Sequence, residues 1–468
     1  MQQIKNMKKI TFVFLLIATI TYSQCNTSIS SGHRHTILLK DNGTVQTWGY
    51  GLNGFGALGF GNFSNVTTPT QVGSSSNNIK IFSGNYNTFI IKTNGTLWAA
   101  GDNQDGQLGD GTYGSGNVSN IFIQIGTETN WKTLSPSAAH TLGIKTDGTL
   151  WAWGSNQQGK LGDGTFTNRY TPVQIGTNTN WKEVSSGLQY SVAIKTDGTL
   201  WVWGLNNANM GGSSLIPRQI GIDTDWKEIS TDAAGLHTIA LKYNGTLYVF
   251  GKTWSGGNGA LGLGSTILVA NTPMQIGIDS DWQSISAGFN NSFGIKTNGT
   301  LWAWGQNDLG QLGDGTQIDK LIPTQIGLES DWILVSAGQR HTVALKSNGD
   351  LYTWGDNSQA QLGNGNYNST VTPLFINSCI ALSNQEFEKY KFIIYPNPVK
   401  NLVTITSNNF LSYSSIEVID IAGRIVIKKD NTESKTISFD LSHLRTGIYN
   451  IVIKDNNQII LSKKIIKE

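Results

Sequence analysis

Short apolar runs, each closed by Gly, Asn or Asp, follow one another along most of the chain, as in TLGIKTDGTLWAWG over residues 141–154. The runs are four to six residues long and rich in Trp, Ile, Val and Leu. Such runs between turn residues predict β-strands. In LWAW the tryptophans Trp151 and Trp153 are two apart, so they share one face of a strand. No window beyond the N-terminal segment sustains a 3.6-residue apolar period.

The pattern repeats. The glycine before the LWAW-like strand falls at Gly43, Gly95, Gly148, Gly198, Gly245, Gly299 and Gly349, at intervals of 52, 53, 50, 47, 54 and 50 residues. Each unit offers four strands. The first opens on Trp131, Trp181, Trp226, Trp282 or Trp332, the second resembles HTVALK, the third is LWAW, and the fourth is a short P-x-Q-I-G strand after a glycine-rich loop ending LGDGT. Unit 1 departs with Asn26 in place of the opening Trp, and unit 4 carries Met210-Gly211-Gly212 in place of LGDG. Four strands per unit and a period near 50 predict the blades of a β-propeller. All 15 tryptophans lie in the repeats, which predicts packing between blades.

One loop imitates a nucleotide site. Gly154 to Lys160 reads G-x-x-x-x-G-K. A phosphate loop needs a Ser or Thr next and a helix opening behind it. Here Leu161, Gly162, Asp163 and Gly164 follow, and the sister loops carry Gln107 and Gln311 where this one has Lys160. The lysine is a variant on a repeated β-turn frame.

The stretch AGQRHTVALKSNGDLYTWGDNSQAQLGNG (337–365) and its six relatives resemble the repeat of the regulator of chromosome condensation family. The resemblance covers about residues 26–379 and implies a seven-bladed propeller. The family's best-known member acts on chromatin and on a small GTPase in the nucleus, and a bacterial β-lactamase inhibitor shares the repeat. No loop here matches the exchange-factor surface, so no functional residue carries over.

The flanks speak of export. Residues 1–23 place Lys5, Lys8 and Lys9 before the apolar run ITFVFLLIATI, with small residues near Ser23, as a secretory signal peptide does. Cys25 raises the rival of a lipoprotein cysteine, but Gln24 precedes it where a small residue is expected. Beyond residue 365 only Gly423 and Gly447 remain of 55 glycines. Residues 380–390 read as a linker. Residues 391–468 alternate as strands of a small β-sandwich and resemble the type A sorting domain of type IX secretion cargo. The resemblance rests on Tyr395, Pro396, Asn397 and Pro398, on Gly423-Arg424, on Gly447 and Tyr449, and on Lys463-Lys464. It implies the type IX secretion machinery as a partner and a secreted or outer-surface location. The N-terminal apolar run is too short to span a bilayer, so no transmembrane segment is expected in the mature chain.

Charge and chemistry narrow the function. The net charge of +2 hides a ring region of 19 basic against 24 acidic residues. A nucleic-acid binder needs a basic patch, so nucleic acid is not an expected partner. His35, His140, His237 and His341 occupy one repeat position, where Asn87, Tyr190 and Asn291 stand in other units. That interchange predicts a hydrogen-bonding strand residue and no metal ligand. The lysine closing each second strand (Lys40, Lys92, Lys145, Lys195, Lys242, Lys296, Lys346) precedes a turn and is expected in solvent. Asp110, Asp163 and Asp314 lack the calcium-loop spacing and read as turn formers.

No cofactor, metal or catalytic set is therefore expected, and the chain reads as a protein- or glycan-binding module. The alternatives are a nucleotide-exchange or β-lactamase-inhibitor-like regulator, or an enzyme with a site in the channel. Binding is expected from loop residues that depart from the repeat: Tyr50, Phe55, Tyr113, Phe166, Arg169, Tyr170 and Trp254. Cys25 and Cys379 are expected to form a disulfide where the first and last units meet.

Overall fold

A computed structural model describes residues 25–51, 54–205, 212–231, 235–253, 259–264, 267–378, 392–407, 412–420, 424–433, 435–455 and 458–468. Residues 1–23, where a signal peptide is expected, Trp254, Cys379 and residues 380–390, expected as a linker, lie outside them. The chain divides into a unit spanning Ser23–Cys379 and a second one containing Ile380–Glu468.

The first unit holds seven four-stranded antiparallel sheets, each made of strands consecutive in sequence. Blade 3 is representative: strand a is Trp131–Pro136, strand b His140–Lys145, strand c Leu150–Gly154 and strand d Arg169–Gln174. Strand a is innermost, since the a strands of neighbouring blades touch, including those of blades 1 and 7. Strand b is buried end to end, covered by a blade on either side, which explains its lack of alternation. Strand d is half-buried to exposed, with no fully buried residue in blades 3 and 6, and carries Pro there, as an edge strand does. Buried Trp153, Trp203, Trp304 and Trp354 fill the gaps between blades.

Hydroxyls stitch the inner strands together. The amides of Ser83, Ser186, Thr231, Ala287, Ala337 and Ser31 each donate to a serine Oγ of the preceding blade, at 2.9–3.0 Å. At the step between blades 2 and 3 the two positions are Phe82 and Pro136. There the hydroxyl and the amide are lost together, so neither is left unpaired. The ring closes the same way. Ser31 meets Ser336, and Asn26 Nδ2 donates to Gly349 O at 2.8 Å and to Asn377 Oδ1 at 2.9 Å.

The second unit contains a three-stranded sheet (Phe392–Tyr395, Leu402–Ser407, Thr436–Asp440) and a four-stranded sheet (Ser412–Asp420, Ile425–Glu433, Gly447–Asp455, Gln458–Lys467). Val403, Ile405 and Phe439 of one pack with Ile416, Val418, Ile451 and Ile465 of the other, forming a sandwich core.

Candidate partner-binding face

Antiparallel order brings the a–b and c–d loops to one end of every blade, so fourteen connections form a single face. They are tied in pairs. The amide that follows the strand-c glycine donates to a carbonyl of the a–b loop in all seven blades: Tyr50 to Arg34, Asp102 to Tyr86, Ser155 to Ala139, Leu205 to Gln189, Lys252 to Leu236, Gln306 to Asn290 and Asp356 to Arg340. The glycine ending strand c makes this approach feasible. At Gly154 φ is +97°, and a Cβ would stand 2.5 Å from Ala139 O.

Just beneath this face lies the histidine register. His35, His140, His237 and His341 direct Nε2 to Thr88, Ser191, Ser292 and Thr36 of the next blade, at 2.8–3.0 Å. Tyr190 does the same to Thr238 at 2.9 Å. The hydroxyls of Thr36, Thr88, Ser191 and Ser292 donate onward to backbone carbonyls, so they accept from a neutral Nε2–H imidazole. Burial holds His35 and His237 down to about 4 and His341 to about 3, and pulls His140 well below the usual range. These histidines are inter-blade fasteners.

The lysine register sits at the opposite end, and the structure corrects the expectation of a solvated side chain. Lys40, Lys145, Lys195, Lys242, Lys296 and Lys346 are buried. In blade 3 the Lys145 ammonium lies 3.3 Å from the Trp151 ring centroid and 5.0 Å from that of Trp131. Blades 4 to 7 repeat this two-ring seat. Carboxylates close it in four blades: Glu128 on Lys145, Asp223 and Asp225 on Lys242, Asp279 and Asp281 on Lys296, Glu329 and Asp331 on Lys346. Burial alone would lower these groups, but the acids hold Lys242, Lys296 and Lys346 above the usual range. Lys40, Lys92 and Lys195, without an acid at ion-pair distance among the described residues, are held below it by burial.

The c–d loops use their polar groups internally. Asn156 Nδ2 donates to Asp163 Oδ1 at 2.9 Å, and the Thr165 amide donates to the same oxygen at 2.9 Å. Asn103–Asp110 and Asn307–Asp314 repeat the buckle. In the phosphate-loop mimic, Ser155 N, Gly159 N and Gly162 N bond backbone carbonyls, and Asn156 N and Leu161 N bond side chains. Five of the amides a phosphate could use are thus already spent, and Lys160 is buried.

The sequence-predicted binding residues fall into two groups on this face. Phe55 stacks on Tyr86 at 4.2 Å, Arg34 lies 5.7 Å over Tyr50, and His33 packs against Tyr86 at 4.9 Å. Arg34, Tyr50, Phe55 and Tyr86 border a small depression with His35, Gly51 and Ala57. Across blades 2 and 3, Tyr113 stacks on Tyr170 at 3.7 Å, Arg169 pairs with Asp163 at 2.6 Å, and Phe166 is 65% exposed. Sequence reading missed Arg34 and Tyr86; the irregular a–b loops GHRH and GNYN were the signal. It also missed Glu183 and Glu228 on adjacent a strands. Burial raises their carboxyls to about 8 and about 7, and each accepts a backbone amide of the next blade, Ile229 and Ile285.

In the second unit the sorting-motif residues converge. Asn397 donates Nδ2 to Lys464 O at 3.1 Å and accepts from Ile466 N at 2.9 Å. Gly447 and Tyr449 lie on the strand paired with that last one, and the Tyr449 hydroxyl donates to Arg445 O at 3.0 Å. Lys463 and Lys464 are exposed, as are Tyr395, Pro396 and Pro398.

Comparison with known proteins agrees with both units. Residues 393–468 match the secretion system C-terminal sorting domain. That domain assigns the chain to type IX secretion, at the cell surface or outside the cell. Among the described residues no helix is long and apolar enough to cross a membrane. The ultraviolet-B receptor UVR8 of Arabidopsis thaliana is 29% identical over 63% of this chain and 56% of its own length. The human X-linked retinitis pigmentosa GTPase regulator is 29% identical over 31% of this chain and 14% of its own. The chain thus spans little more than half of one relative and a small part of the other. Among solved structures, Prp20p from Saccharomyces cerevisiae superposes with a TM-score of 0.63 at 19% identity, over 79% of this chain and 90% of that one. Human WBSCR16 superposes with a TM-score of 0.60 at 20% identity, over 69% and 87%. Two models of the regulator of chromosome condensation (RCC1) repeat match segments at 27–107, 147–209 and 282–386. With seven blades of this repeat, the chain belongs to the regulator of chromosome condensation repeat family.

Proposed function

We propose that the ring is a secreted binding module, not an enzyme, and that it takes a protein or glycan partner on the face of a–b and c–d loops. One observation carries this reading. The residues with chemistry on the repeat frame are engaged between blades, whereas the residues that depart from the frame are aromatic and Arg side chains at this face. Tyr and Arg are frequent anchors of protein interfaces. The relatives point the same way, since the solved Prp20p is described by its binding to Gsp1p and histones. The acidic ring and the sorting domain turn this chain toward other partners. Tyr50, Phe55, Arg34 and Tyr86 form the proposed centre. Tyr113, Phe166, Arg169 and Tyr170 form a second patch, and Trp254 belongs to the same proposal from its sequence position.

The test is capture of surface proteins and glycans by the purified full chain, followed by Phe55→Ala with Tyr86→Ala. Affinity for the captured partner should fall at least tenfold with the unfolding midpoint nearly unchanged. Unchanged affinity in these variants and in a Tyr113→Ala/Phe166→Ala/Tyr170→Ala variant would remove the face. Hydrolysis of generic glycoside or ester substrates, abolished by Glu183→Gln, would restore the enzyme reading.

A further inference from the structure

Blade 2 breaks the lysine seat, and the break leaves a cavity. Blades 3 to 7 open strand a on a buried Trp that forms one wall of the seat. Blade 2 has Asn78 there, a second departure besides Asn26 of blade 1. The two residues that supply acids in blade 6, Asp279 and Asp281, are Ser75 and Asn77 in blade 2. One ring and both carboxylates are therefore missing around a single lysine.

What remains is a cavity of about 220 Å³ between blades 1 and 2, lined among others by Val45, Val72, Asn78, Ile90, Lys92 and Trp98. The Lys92 ammonium lies 3.7 Å from the Trp98 ring centroid. Among the described residues it makes a long hydrogen bond, 3.5 Å to Ser75 Oγ, and no carboxylate stands within ion-pair distance of it. The neighbouring core has adjusted only in part. In blades 3 and 6 the strand-b residue under the Trp is Gly143 or Gly294, where a Cβ would meet the indole at 2.7 or 2.5 Å. In blade 2 that residue is Ile90, which takes up some of the vacated space. Blade 1 differs, because Gln46 replaces its strand-c ring as well and Leu38 fills the core there.

We propose that this cavity is a ligand site for a planar aromatic ring that bears a carboxylate. The sister blades show what the slot accepts. Each holds an indole edge-on to the strand-c ring, as Trp131 is to Trp151 at 6.2 Å and 74°. In four of those blades acids sit at the ammonium, and in three of the four an acid directly precedes the Trp, as Asp225-Trp226, Asp281-Trp282 and Asp331-Trp332. A ligand that restores ring and carboxylate together regains the cation–π contact, the ion pair and the apolar burial that blade 2 lacks. Gly73, Ser75 and Lys92 line the site at the end of the blade remote from the a–b and c–d loops, and Gly59 of the blade 1 c–d loop lines it as well; its lining shares no residue with the proposed partner centre of Arg34, Tyr50, Phe55 and Tyr86. Two sources carry the chemistry: a free aryl carboxylic acid, and an Asp-Trp segment of another protein.

The test is calorimetric titration of the full chain with three probes: indole-3-acetate, indole, and the blocked dipeptide Ac-Asp-Trp-NH2. Indole-3-acetate or the dipeptide should bind at least tenfold more tightly than indole. Lys92→Met should bring the carboxylate probes down to the level of indole. Asn78→Trp combined with Ile90→Gly rebuilds the seat of blade 3, so it should abolish binding and raise the unfolding temperature. The tighter of the two carboxylate probes identifies the source. Absence of binding by both at millimolar concentration overturns the proposal. So does binding that persists in the Asn78→Trp/Ile90→Gly protein, once its unfolding transition shows that it is folded.

Discussion

At the scale of the residue, burial without charge sets how this ring responds to pH. His33, His35, His237 and His341 are held at about 3 to 4 by desolvation, against 6.5 for a free imidazole, with nearby Arg side chains adding to the effect at His33. Below pH 6.5 the unfolded chain therefore binds protons that the folded ring refuses. This contribution is complete above 6.5 and lost as pH falls, by up to about 1.4 kcal/mol per pH unit for each histidine. Glu183 and Glu228 act in the opposite sense. Their carboxyls titrate near 8 and 7 in the fold against 4.5 ordinarily, so their contribution is present below 4.5 and lost as pH rises through 7 to 8. Stability should peak near pH 6.5. Glu183→Gln keeps an acceptor for the Ile229 amide without the ionisation, so it should flatten the fall between pH 6.5 and 7.5 and leave the acid limb intact. Urea midpoints measured across that range check it, and equal alkaline slopes in both proteins would contradict it.

At the scale of the element, the loop after strand c of blade 3 shows what a variant on the repeat costs. In blades 2 and 7 a glutamine reaches back to an aspartate at the loop's start, Gln107 to Asp102 at 2.9 Å and Gln361 to Asp356 at 3.0 Å. Blade 3 has Lys160 and Ser155 at those places. The lysine is buried, and burial brings it down to about 8. Restoring the pair with Ser155→Asp and Lys160→Gln should stabilise the ring by about 1 kcal/mol, the net value of a buried hydrogen bond plus relief of an ill-matched charge. A shift in denaturant midpoint measures it, and destabilisation by the double variant would refute it. The strands themselves were legible because the apolar runs, the Asn-Gly or Asp-Gly turns and the 50-residue period agree at every blade. The lysine seat was not. Lys145 follows its own strand into a turn and looks solvated, and its two walls, Trp131 and Trp151, come from strands a and c on either side. For the same reason the aromatic set was legible only in part: Tyr113 and Tyr170 meet across blades, whereas Arg34 and Tyr86 are visible only once the a–b loops lie beside Tyr50 and Phe55.

At the scale of the whole molecule, the ring must hold its first blade to its last without exchanging a strand. All four strands of blade 1 come from residues 26–71, so no terminal segment completes a distant sheet. Closure then rests on contacts of kinds that most other pairs of blades also have: Ser31 with Ser336, Thr36 with His341, and Trp48 Nε1 with Gln361 O at 3.0 Å. A ring closed only this way can open at one seam and fray outward. The two cysteines neighbour that seam in sequence. Asn26, next to Cys25, bonds Asn377, two residues before Cys379, at 2.9 Å. The neighbours of both cysteines are thus in contact. Outside the cell the compartment favours oxidation. We propose that Cys25 and Cys379 are joined, which converts the seam into a covalent closure. A cross-link over so long a loop restricts the unfolded chain by up to about 5–6 kcal/mol. The oxidised full chain should carry no thiol that reacts after denaturation. Reduction, or Cys25→Ser with Cys379→Ser, should lower the unfolding temperature by several degrees or more while the circular-dichroism spectrum stays β-rich. Two reactive thiols in the secreted protein, or an unfolding temperature indifferent to reduction, would show that the seam is held by hydrogen bonds and packing alone.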